Sequence, residues 1–177
     1  MDANLENCIG RLRVEFHPNS SRLINSSQTV SWQQKVLFGG HYEPLDCYSR
    51  HRVAIIIPYR DRKEHLFVLL NQLHPILQRQ QLDYKIFVVE QCWTFMLTSF
   101  YPYYKIMRIL KLHFFGNDTF NKGVLMNAGV KEALKEYDFH CFVFHDVDLI
   151  PEDDRNLYTC PAVPRHMSVA VDKFNYS

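Results

Sequence analysis

Two aspartates separated by one residue, Asp146 and Asp148, are the residues of this sequence best suited to chemistry. They follow the short apolar run 141–144, which is typical of a buried strand. Alternate residues of a strand share a face, so both carboxylates are expected in the crevice at the carboxyl ends of a parallel sheet. Such a pair suits a hard divalent cation and the phosphate that accompanies it. The alternative is a solvated turn, because Asp-x-Asp also occurs where strands simply end.

An alternation of strand and helix patterns surrounds this pair. Residues 53–57 are a continuous apolar run, typical of a strand buried on both faces, and Pro58 is expected to halt it. Apolar residues then recur at helical spacing up to Leu77, and Pro75 is expected to kink or divide that helix. Further strands are predicted at 85–90, 141–144 and 167–171, and a second helix at 121–136. This order predicts an α/β fold with a mostly parallel sheet.

The loop after the first predicted strand carries two arginines, Arg60 and Arg62. It would lie at the same edge of the sheet as Asp148, where a guanidinium group can bind phosphate or carboxylate. Asp61, between them, can accept a hydrogen bond from a ribose or a base. The alternative is a charged helix cap, although a first-strand loop is a usual place for nucleotide contacts.

A second candidate segment, Phe120-Asn121-Lys122, lies at the start of the second predicted helix. An aromatic ring can stack on a base, and a helix start with a cation can approach a diphosphate. Plain packing is the alternative interpretation.

Composition limits the class of protein. The chain has 177 residues, of which 47% are hydrophobic and 22% charged, as in an ordinary globular domain. A net charge of +1 disfavours binding to nucleic acid or to an anionic membrane. No uninterrupted apolar run of about 18 residues occurs, and residues 1–4 lack a signal-peptide pattern, so neither an anchor nor an export signal is expected in this sequence.

The cysteines and glycosylation acceptors nevertheless favour an oxidising lumen. None of the five cysteines lies in a Cys-x-x-Cys pair, which disfavours zinc-ribbon and thioredoxin chemistry. Asn-x-Ser/Thr acceptors occur at Asn19, Asn25, Asn117 and Asn175. Together they indicate a secretory compartment.

Several motifs, in this order, resemble the β-1,4-galactosyltransferase family, glycosyltransferase family 7, in its N-terminal part. They lie at residues 40–47, 55–62, 65–66, 73–75, 89–91, 120–122, 144–151 and 168–174. The resemblance covers roughly residues 8 to 91 and 116 to 177. It implies a GT-A-like fold whose Rossmann-like, UDP-sugar-binding half occupies residues 51–177, preceded by an extended arm at 1–50, with the acceptor half missing.

The activity implied by the resemblance is an inverting, Mn²⁺-dependent transfer of galactose, or N-acetylgalactosamine, from a UDP-sugar to a terminal N-acetylglucosamine-type acceptor. Members are single-pass type II membrane proteins of the Golgi lumen, so a membrane anchor is expected in the full-length protein. The cation would stabilise the negative charge that develops on the leaving UDP.

Site residues follow from the same resemblance. Asp148 would hold the metal, and the UDP moiety would contact Pro58, Tyr59, Arg60, Asp61, Arg62, Phe120, Asn121, Lys122, Asp146, Val147 and Lys173. The resemblance also implies that the catalytic base lies beyond Ser177. Glu152, Asp153 and Asp154 are poor substitutes for it, because 152–154 is predicted to be a solvated turn. Lys122 stands where the family usually has arginine, which removes a bidentate contact with the diphosphate.

The resemblance also implies disulfides that join Cys8 to Cys47 and Cys141 to Cys160. Cys92 lies in a non-matching segment, 92–115, which has many aromatic residues and no acidic residue. One interpretation is a partner-binding or membrane-touching hairpin; the favoured hypothesis is translated intron sequence.

Two other functions remain open. The chain could be a non-catalytic fragment that binds UDP and metal or acts as a decoy. Alternatively, Asp146 and Asp148 would be nucleophile and acid of an aspartate-based phosphatase. That chemistry is disfavoured because its acidic pair follows the first strand of the domain, whereas this pair follows the third.

Overall fold

A five-stranded sheet organises the part of the chain that the computed structural model describes, which is residue 8 and residues 35–92, 105–113 and 119–176. The strands are β1 (His41–Tyr42), β2 (Arg52–Tyr59), β3 (Asp83–Cys92), β4 (Arg108–His113) and β5 (Cys141–Phe144). The helices are α1 (Lys63–Arg79) and α2 (Lys122–Glu136), and a short 3-10 helix spans Asp172–Phe174.

The strand order is β1-β3-β2-β5, and β4 also pairs with β3. β2 runs parallel to both β3 and β5, and β4 runs parallel to β3. β1 is antiparallel and pairs with Tyr84 and Lys85, whereas β4 pairs with Phe87–Cys92, so the two share one edge of β3. The predicted α/β class with a mostly parallel sheet is confirmed.

β2 is the central strand, and its apolar run is buried on both faces as predicted. Val53, Ile55 and Ile57 pack in one hydrophobic cluster with the buried leucines of α1. Ala54 and Ile56 face the other way, in a cluster with Leu125 and Ala133 of α2. Because successive residues of a strand point to opposite faces, one uninterrupted apolar run serves both helices.

The expectation that Pro58 halts this strand is wrong, since β2 continues through Pro58 to Tyr59. The Ile56 carbonyl accepts a hydrogen bond from the backbone N–H of His145, so Ile56 turns its polar groups toward β5. Pro58, two residues on, turns its nitrogen to the same side, where the β2–β5 ladder has already ended at Ile56 and Phe144. A missing N–H therefore breaks no ladder hydrogen bond there.

Division of the first helix at Pro75 is also wrong, because α1 is continuous from Lys63 to Arg79. Proline removes one helical hydrogen bond and crowds the preceding turn. The buried side chains on either side of it, Leu73, His74, Ile76 and Leu77, anchor both flanks of the helix in the core.

The strand predicted at 167–171 does not form. This segment consists of bends without ladder partners, and Val169 is 76% exposed. An alternating apolar pattern produces a strand only beside a strand edge to pair with, and these residues lie along a cavity wall instead.

Part of the segment 92–115, which is predicted above not to match the family, belongs to the sheet. β4 lies within it and runs parallel to β3, which excludes a simple hairpin between these two strands. Residues 93–104 and 114–115 of the predicted segment lie outside the described residues.

Most of the predicted arm, 1–50, also lies outside the described residues, and the boundary at residue 50 stays a prediction. Within the described part, Val36 and Tyr42 belong to the core. Two disulfides, with the pairing that the resemblance implies, join Cys8 to Cys47 and Cys141 to Cys160. Among the helices of the described residues, none has the length and apolar character that a membrane crossing requires.

Close packing of α2 on the sheet generates a stability prediction. A Cβ at Gly129 would lie 2.5 Å from Ile56 Cγ2 and 2.9 Å from Val89 Cγ2, and both of these side chains are fully buried. We expect Gly129→Ala to lower the free energy of unfolding by about 1–2 kcal/mol, because overpacking typically costs more than alanine gains in a helix. Urea unfolding measures this difference.

The matched control is Gly123→Ala in the first turn of the same helix. A Cβ there would meet Asn121 Oδ1 at an ordinary 3.8 Å. This change is expected to leave stability unchanged or to raise it by up to about 1 kcal/mol. Equal effects of the two substitutions would contradict the packing of α2 described above.

Candidate functional site

Three segments meet at the carboxyl edge of the central strands. Arg62 Nη1, from the loop after β2, donates to Asp148 Oδ2 at 3.2 Å. Lys122, at the start of α2, forms an ion pair with Asp146. The Arg60 guanidinium lies 5.2 Å from the centre of the Phe120 ring. The structure therefore brings together the paired acids and both cation-bearing segments that the sequence singled out.

A tight turn after β5 presents the two acids. The Leu149 N–H donates to the Asp146 carbonyl at 3.3 Å, and Val147 between the acids is buried in the core. The side chains of Asp146 and Asp148 remain 36% and 51% exposed. Val147 thus anchors the turn, and the carboxylates beside it stay accessible to a ligand.

The loop after β2 begins in the core and ends at the surface. Pro58 and Tyr59 are buried within β2, and burial raises the pKa of the Tyr59 phenol. Asp61 is exposed and adopts a left-handed conformation with φ +48°, which an aspartate tolerates better than most residues. Arg62 is the N-cap of α1 but makes no side-chain cap bond, so a charged cap does not explain it. Its side chain pairs with Asp148 instead.

The second cation-bearing segment is held by Gln91 at the end of β3. Gln91 Oε1 accepts from the Asn121 N–H at 3.0 Å, and Gln91 Nε2 donates to the Thr119 carbonyl at 3.2 Å. Asn121 caps α2, because its Oδ1 accepts from the Val124 N–H at 3.1 Å. Sequence reasoning assigned Gln91 no role, although it closes the motif at 89–91.

A cavity of about 940 Å³ opens beside the acids. Lys122, Asp146 and Asp148 contribute to its wall, and residues 161–168 form much of the rest. Lys173 is not among its lining residues; its ammonium lies 6.0 Å from the centre of the Phe174 ring. The proposed contact of Lys173 with UDP stays a prediction.

The prediction of a solvated turn at 152–154 is wrong for Asp154. Its side chain is 2% exposed and receives two hydrogen bonds from Arg79, Nε to Oδ2 at 2.6 Å and Nη2 to Oδ1 at 2.8 Å. A buried carboxylate requires such a partner. Asp153, whose side chain is 23% exposed, pairs with the exposed Arg155. Asp154 joins this loop to α1 and is occupied by that contact.

Two buried residues behind the acids were missed by sequence reasoning. His145 stacks on Tyr158, with ring centres 5.9 Å apart, and its Nε2 lies 2.9 Å from the Tyr158 hydroxyl oxygen. Burial lowers the pKa of His145 and raises that of Tyr158, so both are neutral at pH 7. The sequence does contain a signal for His145, which is its position directly before the acidic pair.

Another potential metal-ligating group lies elsewhere in the described residues, at the opposite, amino end of β3. His41 Nε2 is 2.9 Å from Asp83 Oδ1 and 3.5 Å from Glu43 Oε1. The Tyr137 hydroxyl donates to Asp83 Oδ2 at 2.8 Å. These hydrogen bonds satisfy the buried Asp83 carboxylate without an ion, and the group is separate from Asp148.

Comparison with known proteins places these features in a family. Residues 2–161 match the family described as the N-terminal region of glycosyl transferase group 7. The chain is 46% identical over 170 residues to β-1,4-galactosyltransferase 1 of Bos taurus, covering 96% of this chain and 35% of that protein. The human β-1,4-galactosyltransferase 1 is 50% identical over 169 residues, with 96% and 36% covered. The chain thus spans about a third of the length of these relatives.

A solved structure with similarity to this chain is that of Drosophila β-1,4-galactosyltransferase 7 in complex with manganese, UDP-Gal and xylobiose. It has a TM-score of 0.47 and 29% identity, and the match covers 63% of this chain and 37% of that one. The family match includes the β2 loop, the start of α2 and the Asp146–Asp148 turn, and extends over most of the sequence. The chain therefore belongs to glycosyltransferase group 7, whose β-1,4-galactosyltransferases its motifs resemble.

Proposed function

We propose that this chain forms the UDP-sugar-binding half of a Mn²⁺-dependent, inverting galactosyltransferase with a GT-A-like fold. The observation that carries the proposal is the pairing of both acids of one turn with cations from two other segments, Asp148 with Arg62 and Asp146 with Lys122. Family membership supplies the reaction class. Residues 51–177 are the nucleotide-binding domain in this proposal, and 1–50 the arm that precedes it.

The donor atoms suit the cation. Carboxylate oxygens are the ligands that hard divalent ions such as Mn²⁺ prefer. Asp148 would hold the ion, and Asp146 lies in the same turn. When bound, Mn²⁺ supplies Lewis acidity that stabilises negative charge on the leaving diphosphate.

The cations of the site, Arg62 and Lys122, would bind the diphosphate directly. In the free chain Arg62 and Lys122 neutralise the two carboxylates. A metal-bound diphosphate would bring a cation to the carboxylates and phosphate oxygens to Arg62 and Lys122. These two side chains could then exchange a carboxylate for a phosphate, and no charged group would be left unpaired. Arg60 and Phe120 form a cation–π pair beside them, at the position proposed for the nucleoside.

The finer assignments rest on the family. The donor is UDP-galactose or UDP-N-acetylgalactosamine, the acceptor a terminal N-acetylglucosamine-type glycan, and the setting the Golgi lumen, with a type II anchor in the full-length protein. The two disulfides agree with an oxidising lumen. The base that deprotonates the acceptor is assigned beyond Ser177. UDP and Mn²⁺ binding without sugar transfer would identify the 177-residue chain as the non-catalytic fragment.

Removal of the Asp148 charge tests the metal assignment. Asp148→Asn is expected to weaken Mn²⁺ binding in the presence of UDP at least about tenfold, because the carboxylate is the proposed ligand. Electron paramagnetic resonance of free Mn²⁺ measures this affinity. The matched control is Asp138→Asn, whose carboxylate pairs with Arg52 at the far edge of the sheet. Unchanged affinity in Asp148→Asn, or an equal loss in the control, would contradict the assignment.

Lys122 provides a second, independent prediction. Lys122→Ala is expected to weaken UDP binding in saturating Mn²⁺ several-fold, whereas Lys122→Arg should equal or exceed the wild type, since guanidinium binds a diphosphate through two parallel hydrogen bonds. Isothermal titration calorimetry with UDP measures both. Lys135→Ala, which removes a cation from the other end of the same helix, is the control. The proposed diphosphate contact is wrong if Lys122→Ala binds UDP as the wild type does.

A further inference from the structure

The residues that shape the Asp146–Asp148 turn extend beyond its own sequence. The Asp146 carbonyl accepts two hydrogen bonds, one from the Leu149 N–H at 3.3 Å and one from His145 Nδ1 at 2.8 Å. The first closes the turn. The second, which is shorter, comes from a buried ring that lies behind it and fixes the direction of the same carbonyl.

The protonation pattern of this contact follows from the chemistry of its partners. A carbonyl oxygen can only accept, so Nδ1 of His145 must carry the proton. In the neutral ring Nε2 is then the acceptor, and the Tyr158 hydroxyl at 2.9 Å must be the donor. The pair therefore has one consistent arrangement, in which Tyr158 donates to His145 and His145 donates to Asp146.

Both residues of this pair, His145 and Tyr158, also make backbone hydrogen bonds to the rest of the fold. The backbone N–H of His145 donates to the Ile56 carbonyl of β2 at 2.9 Å. The Tyr158 N–H donates to Gln80 Oε1 at 3.0 Å, and Gln80 Nε2 also binds the carbonyl of Asp154 at 2.9 Å. The His145–Tyr158 pair thus connects the central strand and the end of α1 to the acidic turn.

We propose that His145 and Tyr158 are positioning residues for the metal turn. His145, as the Nδ1–H tautomer, holds the Asp146 carbonyl, while Tyr158 fixes the ring, and the turn is thereby kept in the shape that presents the Asp148 carboxylate. This proposal rests on the proposed function of Asp148. Buried groups that orient metal ligands in this way commonly contribute tenfold or more to metal affinity.

Substitutions that keep or remove the donor test the proposal. His145→Asn retains an N–H near the position of Nδ1, whereas His145→Leu keeps the volume and removes the donor. We expect His145→Leu to weaken Mn²⁺ binding in the presence of UDP by about tenfold. His145→Asn should keep most of the affinity, and Tyr158→Phe should lie between the two.

Urea unfolding of each full-chain variant separates positioning from folding. Affinities are compared only among variants that are folded at the assay temperature. If His145→Leu is folded and binds as the wild type does, or if His145→Asn is as weak as His145→Leu, the proposal is overturned, because the donor is then not what matters.

A ligand-free readout distinguishes failure of this proposal from failure of the proposed function. The ¹⁵N resonances of the His145 ring should show a protonated Nδ1 and an unprotonated Nε2, and the Leu149 amide should exchange faster in His145→Leu than in His145→Asn. A wild-type chain that does not bind Mn²⁺ and UDP but passes these tests refutes the proposed function alone. An Nε2–H tautomer, or equal Leu149 exchange in both variants, refutes the positioning role.

Discussion

Burial of β2 on both faces is the constraint on which the rest of this structure depends. Its side chains from Val53 to Ile57 have no exposed surface, and they separate α1 from α2. The parallel neighbours β3 and β5 pair with its two edges. The loop after β2, the start of α2 and the turn after β5 consequently converge at one edge. The functional cluster is a product of this topology, since its members lie far apart in the chain.

Buried polar contacts convert this convergence into a defined geometry. Gln91 holds the segment before α2, His145 holds the carbonyl of Asp146, and Asp154 joins its loop to Arg79. Each of these groups lies in a low-dielectric setting where an unmade hydrogen bond costs about 1–3 kcal/mol. In the proposed function the exposed carboxylates and cations exchange partners when the ligand binds, and these buried contacts hold the backbone that carries them.

Much of this arrangement was predictable from sequence. The apolar run at 53–57 and the helical periodicity before Leu77 report burial and period directly, and they predicted the α/β class. The acidic pair predicted the edge of the sheet at which the candidate site lies. The failures had other causes. Pro58 is tolerated because a ladder ends beside it, 167–171 lacks a strand to pair with, and Asp154 is buried because Arg79 reaches it from α1. These outcomes depend on tertiary neighbours that no local pattern specifies.

Binding of Mn²⁺ by Asp148 can be observed by anomalous diffraction at the manganese absorption edge, from crystals of this chain grown with Mn²⁺ and UDP. A manganese peak is expected in contact with the Asp148 carboxylate, with the diphosphate of UDP against Lys122. A peak at the His41, Glu43 and Asp83 group, or UDP bound without any peak at Asp148, would contradict it.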